Sequence, residues 1–236
     1  MASVITNGKV YLGSTNLSGQ INAVAVNYSA NTQDGTVLGD DTTSNVGGIK
    51  QFDASIEGYW AATEDAAVFG NVGGNDVLTV SRGTGVVTDP AFMMGCVVGS
   101  YNPGGSHGEL LAFSAAASSR SNLGRGQIAC NATLTTSGSQ TGVELGAVSA
   151  SQKLIASLHV LSASAGDTID VIVESDVDNS FSTPTTVLTF TQAAAAGAQV
   201  IETDGAIADT WFRITYTIAG DGGESFDVVS AIGIAL

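Results

Sequence analysis

Residues 37–60 read VLGDDTTSNVGGIKQFDASIEGYW. The first half is polar and acidic with paired glycines, the composition of a loop. The second half alternates. Phe52, Ala54, Ile56 and Trp60 fall on one side, and Asp53, Ser55, Glu57 and Tyr59 on the other. That is the period of a half-buried strand whose second face is wet and acidic. A loop that reaches, followed by a strand that pairs, points to repeated assembly rather than to an enzyme pocket.

The same alternation recurs from Ile21 to Ser29, where Val24, Val26 and Tyr28 oppose Ala23, Ala25 and Asn27. Further strands are expected near residues 77–81, 92–100, 107–118 and 124–136. One short helix is expected in TEDAAVFGNVGG, with Thr63 as N-cap, Glu64 and Asp65 in the first turn and glycines beyond its end. SGSQTGVELG, residues 137–146, breaks the pattern with small polar residues. It divides the chain into a β domain, 1–142, and a C-terminal β-sandwich region, 143–236, either separate from the first or continuous with it. Strands in the second region are expected near 153–162, 168–175, 185–191, 197–204, 209–218 and 225–235, a spacing that suits a sandwich. In TWFRITYTI, Phe212, Ile214, Tyr216 and Ile218 make a core face, which leaves Trp211 and Arg213 on the other as a candidate contact with a neighbour.

Composition supports an all-β chain. Hydrophobic residues make up 44% and charged residues only 12%, with three prolines, and the content leans to Ala, Gly, Ser, Thr and Val. Seven Lys plus Arg against 22 Asp plus Glu give a net charge of −15, which excludes gripping DNA or RNA by phosphate neutralisation. Cys96 and Cys130 lie in apolar or alternating segments without metal-ligand spacing and are expected to be buried thiols. The first residues lack a basic region followed by an apolar one, and nowhere do eighteen apolar residues run together. The expectation is a protein kept in a cytoplasm, without a membrane anchor.

Chemistry finds little footing. His107, in a Gly/Pro turn, and His159, in KLIASLHVL, lack a nucleophile elbow or an HExxH helix around them. Asp176, Asp178 and Ser180 mimic the opening of a calcium loop, but Phe181 and Val187 stand where Gly and Glu would be needed. NVGGND, NPGGSHG and AGDGGES do not end in GK[ST], so they are turns rather than phosphate loops. No catalytic, cofactor-binding or metal-ligating residue is assigned, and the chain is read as a non-enzyme with no cofactor.

VYLGSTNLSGQINAVAVNYSA, VLGDDTTSNVGGIKQFDASIEGYW, SYNPGGSHGELLAFSAAA, NLGRGQIA, GAVSASQKLIASLHVL, VESDVDNSFSTPTTVLTF and DTWFRITYTIAGDGGESFDVVSAIGIA, taken in order, resemble major tail (tail tube) proteins of long-tailed bacteriophages. The resemblance spans nearly the whole chain, and its most specific part is GDD followed by GGIK and an alternating strand that ends in an aromatic pair. It implies a β-sandwich that forms hexameric rings, with sheets joining between subunits into a continuous inner barrel and rings stacking into a tube that conducts DNA. It further implies that the loop 31–48, with Asp40, Asp41, Thr42 and Asn45, reaches an adjacent subunit or ring. Strands near 21–29 and 50–60 then line the channel.

On that mapping Asp53, Ser55 and Glu57 face the lumen and keep DNA mobile. Lys50, Arg82, Arg120 and Arg125 are the cations available to the acidic loop across an interface. The resemblance implies as partners other copies of the chain, a tape measure protein, a tail terminator, distal tail or baseplate proteins and DNA in transit. The place is the virion tail, assembled in the host cytoplasm. The alternatives from other classes are a capsid decoration or head protein and a carbohydrate-binding adhesin sandwich, although Trp60 and Trp211 make a meagre aromatic platform.

Overall fold

The computed structural model describes residues 7–235. Its strands are β1 (Lys9–Leu12), β2 (Thr15–Asn16), β3 (Ile21–Asp34), β4 (Asn45–Tyr59), β5 (Asn75–Ser81), β6 (Pro90–Gly104), β7 (Ala112–Ser119), β8 (Gly124–Leu134), β9 (Gly138–Ser139), β10 (Val143–Glu144), β11 (Lys153–Ala163), β12 (Thr168–Asp176), β13 (Thr185–Thr189), β14 (Gly197–Asp204), β15 (Trp211–Ala219) and β16 (Phe226–Ala235). One helix, α1 (Ala62–Gly70), follows β4. The chain is all-β, and the pairings between these strands are antiparallel.

Two sheets make four layers. The larger sheet, of eleven strands, runs β14-β11-β16-β8-β6-β5-β1-β2, with β7, β4 and β3 branching from β6; the smaller, of five strands, contains β10, β15, β12, β13 and β9. β6 is long enough to serve two neighbours on one edge, β8 along residues 90–93 and β7 along residues 96–104. The large sheet folds over at this strand. Among the described residues no sheet closes into a barrel within one chain.

Three buried clusters fill the spaces between layers. The first, with Leu154, Leu158, Val173, Phe212 and Phe226, lies between the small sheet and the β11-β16-β8 layer. The second, with Tyr11, Met93, Ile128, Ile155 and Val229, lies on the opposite face of β11 and β16. The third, with Leu12, Phe52, Ile56, Leu78, Met94 and Phe113, joins β1, β5 and β6 to β4 and β7. Because β11 and β16 are covered on both faces, they read as nearly continuous apolar runs rather than as alternation. β4 is covered on one face only, and Phe52, Ala54, Ile56 and Gly58 are buried between more accessible neighbours.

Pairing crosses the expected line at 142–143. β16 pairs with β8 from Phe226↔Leu134 to Ile234↔Arg125, and Ala129, Cys130 and Leu134 belong to the same buried cluster as the C-terminal strands. Gly126 and Gly233 face each other in that ladder, and a Cβ on Gly126 would stand 1.9 Å from the Ile232 carbonyl oxygen. Cys96 and Cys130 are free and buried, and burial pushes each thiol up to about 12.

Several local expectations need correcting. The stretch 31–48 is a loop only between the strand ends at Asp34 and Asn45; the rest continues the β3–β4 pairing. Residues 107–111 precede β7 rather than belonging to it. Thr63 is not the N-cap of α1, since that place is held by Ala61 with extended backbone and no side-chain hydrogen bond. Trp60 does not share the core face of Phe52, Ala54 and Ile56, because β4 ends at Tyr59 and leaves Trp60 42% exposed. Arg213 is engaged within the chain: its Nε donates to Glu174 at 2.8 Å, and its guanidinium lies 4.3 Å from the Phe181 ring centroid.

Candidate assembly surface

The layer made of β3, β4, β7 and the end of β6 presents one face to solvent. Register places Asn27, Asp53 and Ser118 side by side, then Ala25, Ser55, Ala116 and Ser100, then Ala23, Glu57, Ser114 and Asn102. Ser55 and Glu57 are exposed and Asp53 is half-buried. These positions are small and neutral apart from the two carboxylates, and no Lys or Arg is among them. Lys50 stands on the opposite parity of β4, paired with Ala30.

Both lateral edges of this layer are open among the described residues. β3 pairs only with β4. On β6, residues 99–104 pair only with β7, and the far side ends at the bridge between Val72 and Val98. Unpaired N–H and C=O rows of this length are templates for another strand.

β4 pairs with β7 only from Asp53 onward, so residues 45–51 are joined to β3 alone. The result is a two-stranded ribbon about 25 Å long at the usual rise per residue, leaving the body near a register shift between Ala30 and Thr32. Every residue from Ala30 to Gln51 is exposed. A ribbon with neither face covered is marginal alone, and this one carries Val37, Leu38, Val46 and Ile49 in the open.

The ribbon tip is ordered by its own polar groups. Thr36 donates to Asp34 through both its N–H (2.9 Å) and its hydroxyl (2.5 Å), and these bonds hold the Asp34 carboxyl below the usual range. Ser44 N–H donates to the Thr36 hydroxyl at 3.0 Å, and Gly35 N–H to the Ser44 carbonyl at 2.8 Å. Val37 N–H donates to the Asp40 carboxylate at 3.0 Å, and Asp40 N–H returns to the Val37 carbonyl at 3.1 Å. Leu38 sits at the apex with its whole surface in water. Thr42 and Asn45 are exposed beside Asp41.

Of the four cations expected to serve an interface, two are brought together. Arg82 and Arg125 flank a groove of about 440 Å³ whose floor is Tyr28, Phe92, Leu123 and Ile234. Arg82 lies 5.3 Å from the Phe92 ring centroid. Arg120 stands apart at the junction of β7 and β8, where its backbone N–H donates to the Gly95 carbonyl at 2.9 Å. The groove is hidden from sequence reasoning because its walls come from β3, β6, β8, β16 and two loops. Val37 and Leu38 left a usable signal, two adjacent aliphatics in an otherwise polar loop.

The other candidates have local explanations. His159 is fully buried and hydrogen bonded within the core. Asp176 accepts from the N–H groups of Val177 and Thr183, and Asp178 from that of Ser180, so these carboxylates fasten a hairpin loop. His107 is exposed. No helix among the described residues is long and apolar enough to cross a membrane.

The chain matches no protein-family model. No curated protein is similar to it in sequence. Solved structures similar to it include a chain from the virion of a native gene transfer agent particle, 18% identical with a TM-score of 0.43, over 52% of this chain and 97% of that one. Another is the Dit protein of SPP1, described as a paradigm of the hub adsorption apparatus in phages infecting Gram-positive hosts. It is 9% identical with a TM-score of 0.38, over 98% of this chain and 100% of that one. Likenesses this distant carry no functional weight.

Proposed function

We propose that this chain is a structural virion protein that polymerises as stacked rings, six copies to a ring, into the tail tube of a long-tailed bacteriophage. Copies join laterally when the open edge of β3 pairs with residues 99–104 of β6 in the next copy. A contact between two different edges repeats from copy to copy and closes into a ring when the rotation allows. The layer with two open edges is the observation that carries this reading, since closure satisfies backbone groups that are otherwise aggregation sites.

The exposed face of the same layer becomes the channel wall. Asp53, Ser55 and Glu57 then line it among Ala, Ser and Asn. A cationic wall would hold phosphates with affinity multiplying along the duplex, whereas this one keeps DNA mobile. The C-terminal layers stand outside the channel, and the ribbon with Asp40, Asp41, Thr42 and Asn45 reaches a neighbouring copy. A tape measure protein, a terminator and distal tail proteins are the further partners this role requires.

Negative-stain imaging of the purified, concentrated protein tests the reading. Rings or tubes with an axial channel are expected; a protein that stays monomeric at every concentration overturns it.

A further inference from the structure

We propose that the groove between Arg82 and Arg125 receives the ribbon tip of a second copy of this chain, with Val37 and Leu38 entering among Tyr28, Phe92, Leu123 and Ile234 while Asp40 and Asp41 meet the two guanidinium groups. This deepens the self-assembly reading above and rests on it.

Complementarity of charge selects the occupant. The chain has seven cations against 22 acids. Two of the cations, Lys153 and Arg213, are ion-paired within the chain, to Glu202 and Asp204 and to Glu174 respectively. Among the described residues neither Arg82 nor Arg125 has a carboxylate within salt-bridge distance. Glu144 lines the adjoining depression beside Arg125 without pairing to it. A basic, apolar groove on so acidic a protein fits an acidic, apolar ligand. The tip is such a ligand, since Leu38 is wholly exposed and Val37 is 65% exposed, with Asp40 and Asp41 two and three residues beyond Leu38.

The tip is also prepared for the encounter. Its internal hydrogen bonds fix Leu38 at the apex, so docking loses little conformational freedom. The ribbon cannot deliver it to its own groove. Tyr28 forms part of the groove, and β3 runs on from it to Asp34, paired with β4 on both sides of the register shift between Ala30 and Thr32. That carries the tip about 20 Å away. Folding back would break the pairing, so the occupant belongs to another copy. Each copy then has one tip and one groove, a contact that propagates instead of stopping at a dimer.

Cysteine cross-linking tests the contact. In a Leu38→Cys, Tyr28→Cys double variant, mild oxidation after assembly is expected to give a ladder of covalent multimers on a non-reducing gel. The single variants give none, because Cys96 and Cys130 are buried. In parallel, Arg82→Glu with Arg125→Glu is expected to lose polymer, and Asp40→Lys with Asp41→Lys in the same chain to restore it. A wild-type protein that forms tubes, a double-cysteine variant that gives no ladder and a double-glutamate variant that still polymerises together overturn the groove contact and leave assembly standing. A wild-type protein that never assembles overturns both.

Discussion

Thr79 on β5 and His159 on β11 are 2.7 Å apart, hydroxyl to Nε2, across two layers of the same folded sheet. The opposite ring nitrogen, Nδ1, lies 2.7 Å from the Gly13 carbonyl, which can only accept. Nδ1 therefore carries a proton, and because full burial disfavours the charged ring, the imidazole is neutral and the Thr79 hydroxyl donates to Nε2. The Ser157 hydroxyl, 2.8 Å away, completes Thr79, and Ser230 donates to the Ser157 carbonyl at 2.7 Å. This chain of polar groups ties the first and last thirds of the sequence through the core.

Burial lowers the His159 pKa to about 4. An unfolded chain takes up that proton near pH 6.5, so acidification from 6.5 towards 4 favours unfolding. The loss amounts to about 3 kcal/mol when complete. Asp76, whose carboxyl is raised by burial, acts in the opposite sense at the acid end. Denaturant melts across this window are expected to show the decline, and His159→Gln to flatten it from a lower starting stability. A wild-type stability constant between pH 7 and 4 contradicts the neutral buried ring.

Gly126 is expected to tolerate no side chain. Its Cβ would strike the Ile232 carbonyl at 1.9 Å in the ladder joining the two halves, and backbone on both sides leaves nothing to yield. Gly126→Ala should cost at least ~3 kcal/mol. Thermal melting reads this, and a melting temperature equal to wild type contradicts the close approach of β8 and β16.

Val37→Ser with Leu38→Ser changes two exposed side chains. The fold is expected to keep its stability within about 0.5 kcal/mol, while polymer yield on sedimentation collapses. Unchanged tubes would remove the ribbon tip from assembly.

Asp53→Lys with Glu57→Lys reverses both carboxylates of the exposed face. Rings built from this variant should retain duplex DNA at low salt and release it as salt rises. Wild-type rings should retain none. A variant with no affinity for DNA argues that this face does not line the channel.

How much of this was legible follows from what each surface encodes. β4 was readable from Phe52 to Glu57 because one face is buried and the other wet, which writes a period of two into the sequence. Alternation alone puts Trp60 on the core face because it does not say where a strand stops. Residues 31–34 and 45–48 read as loop because a ribbon wet on both faces has no apolar period to show. His159 reads as one more residue in an apolar strand, since its partners, Gly13 and Thr79, are far away in sequence. The folding of one sheet into successive layers, and the groove it creates between Tyr28 and Ile234, depend on long-range pairing that no local pattern records.

The most direct measurement is a cryo-electron microscopy reconstruction of the assembled protein. The expected result is a closed ring in which the β3 edge of each copy pairs with residues 99–104 of the next and Glu57 points to the axis of an open channel. A reconstruction with Glu57 on the outer wall, or with the β3 edge left unpaired, would contradict it.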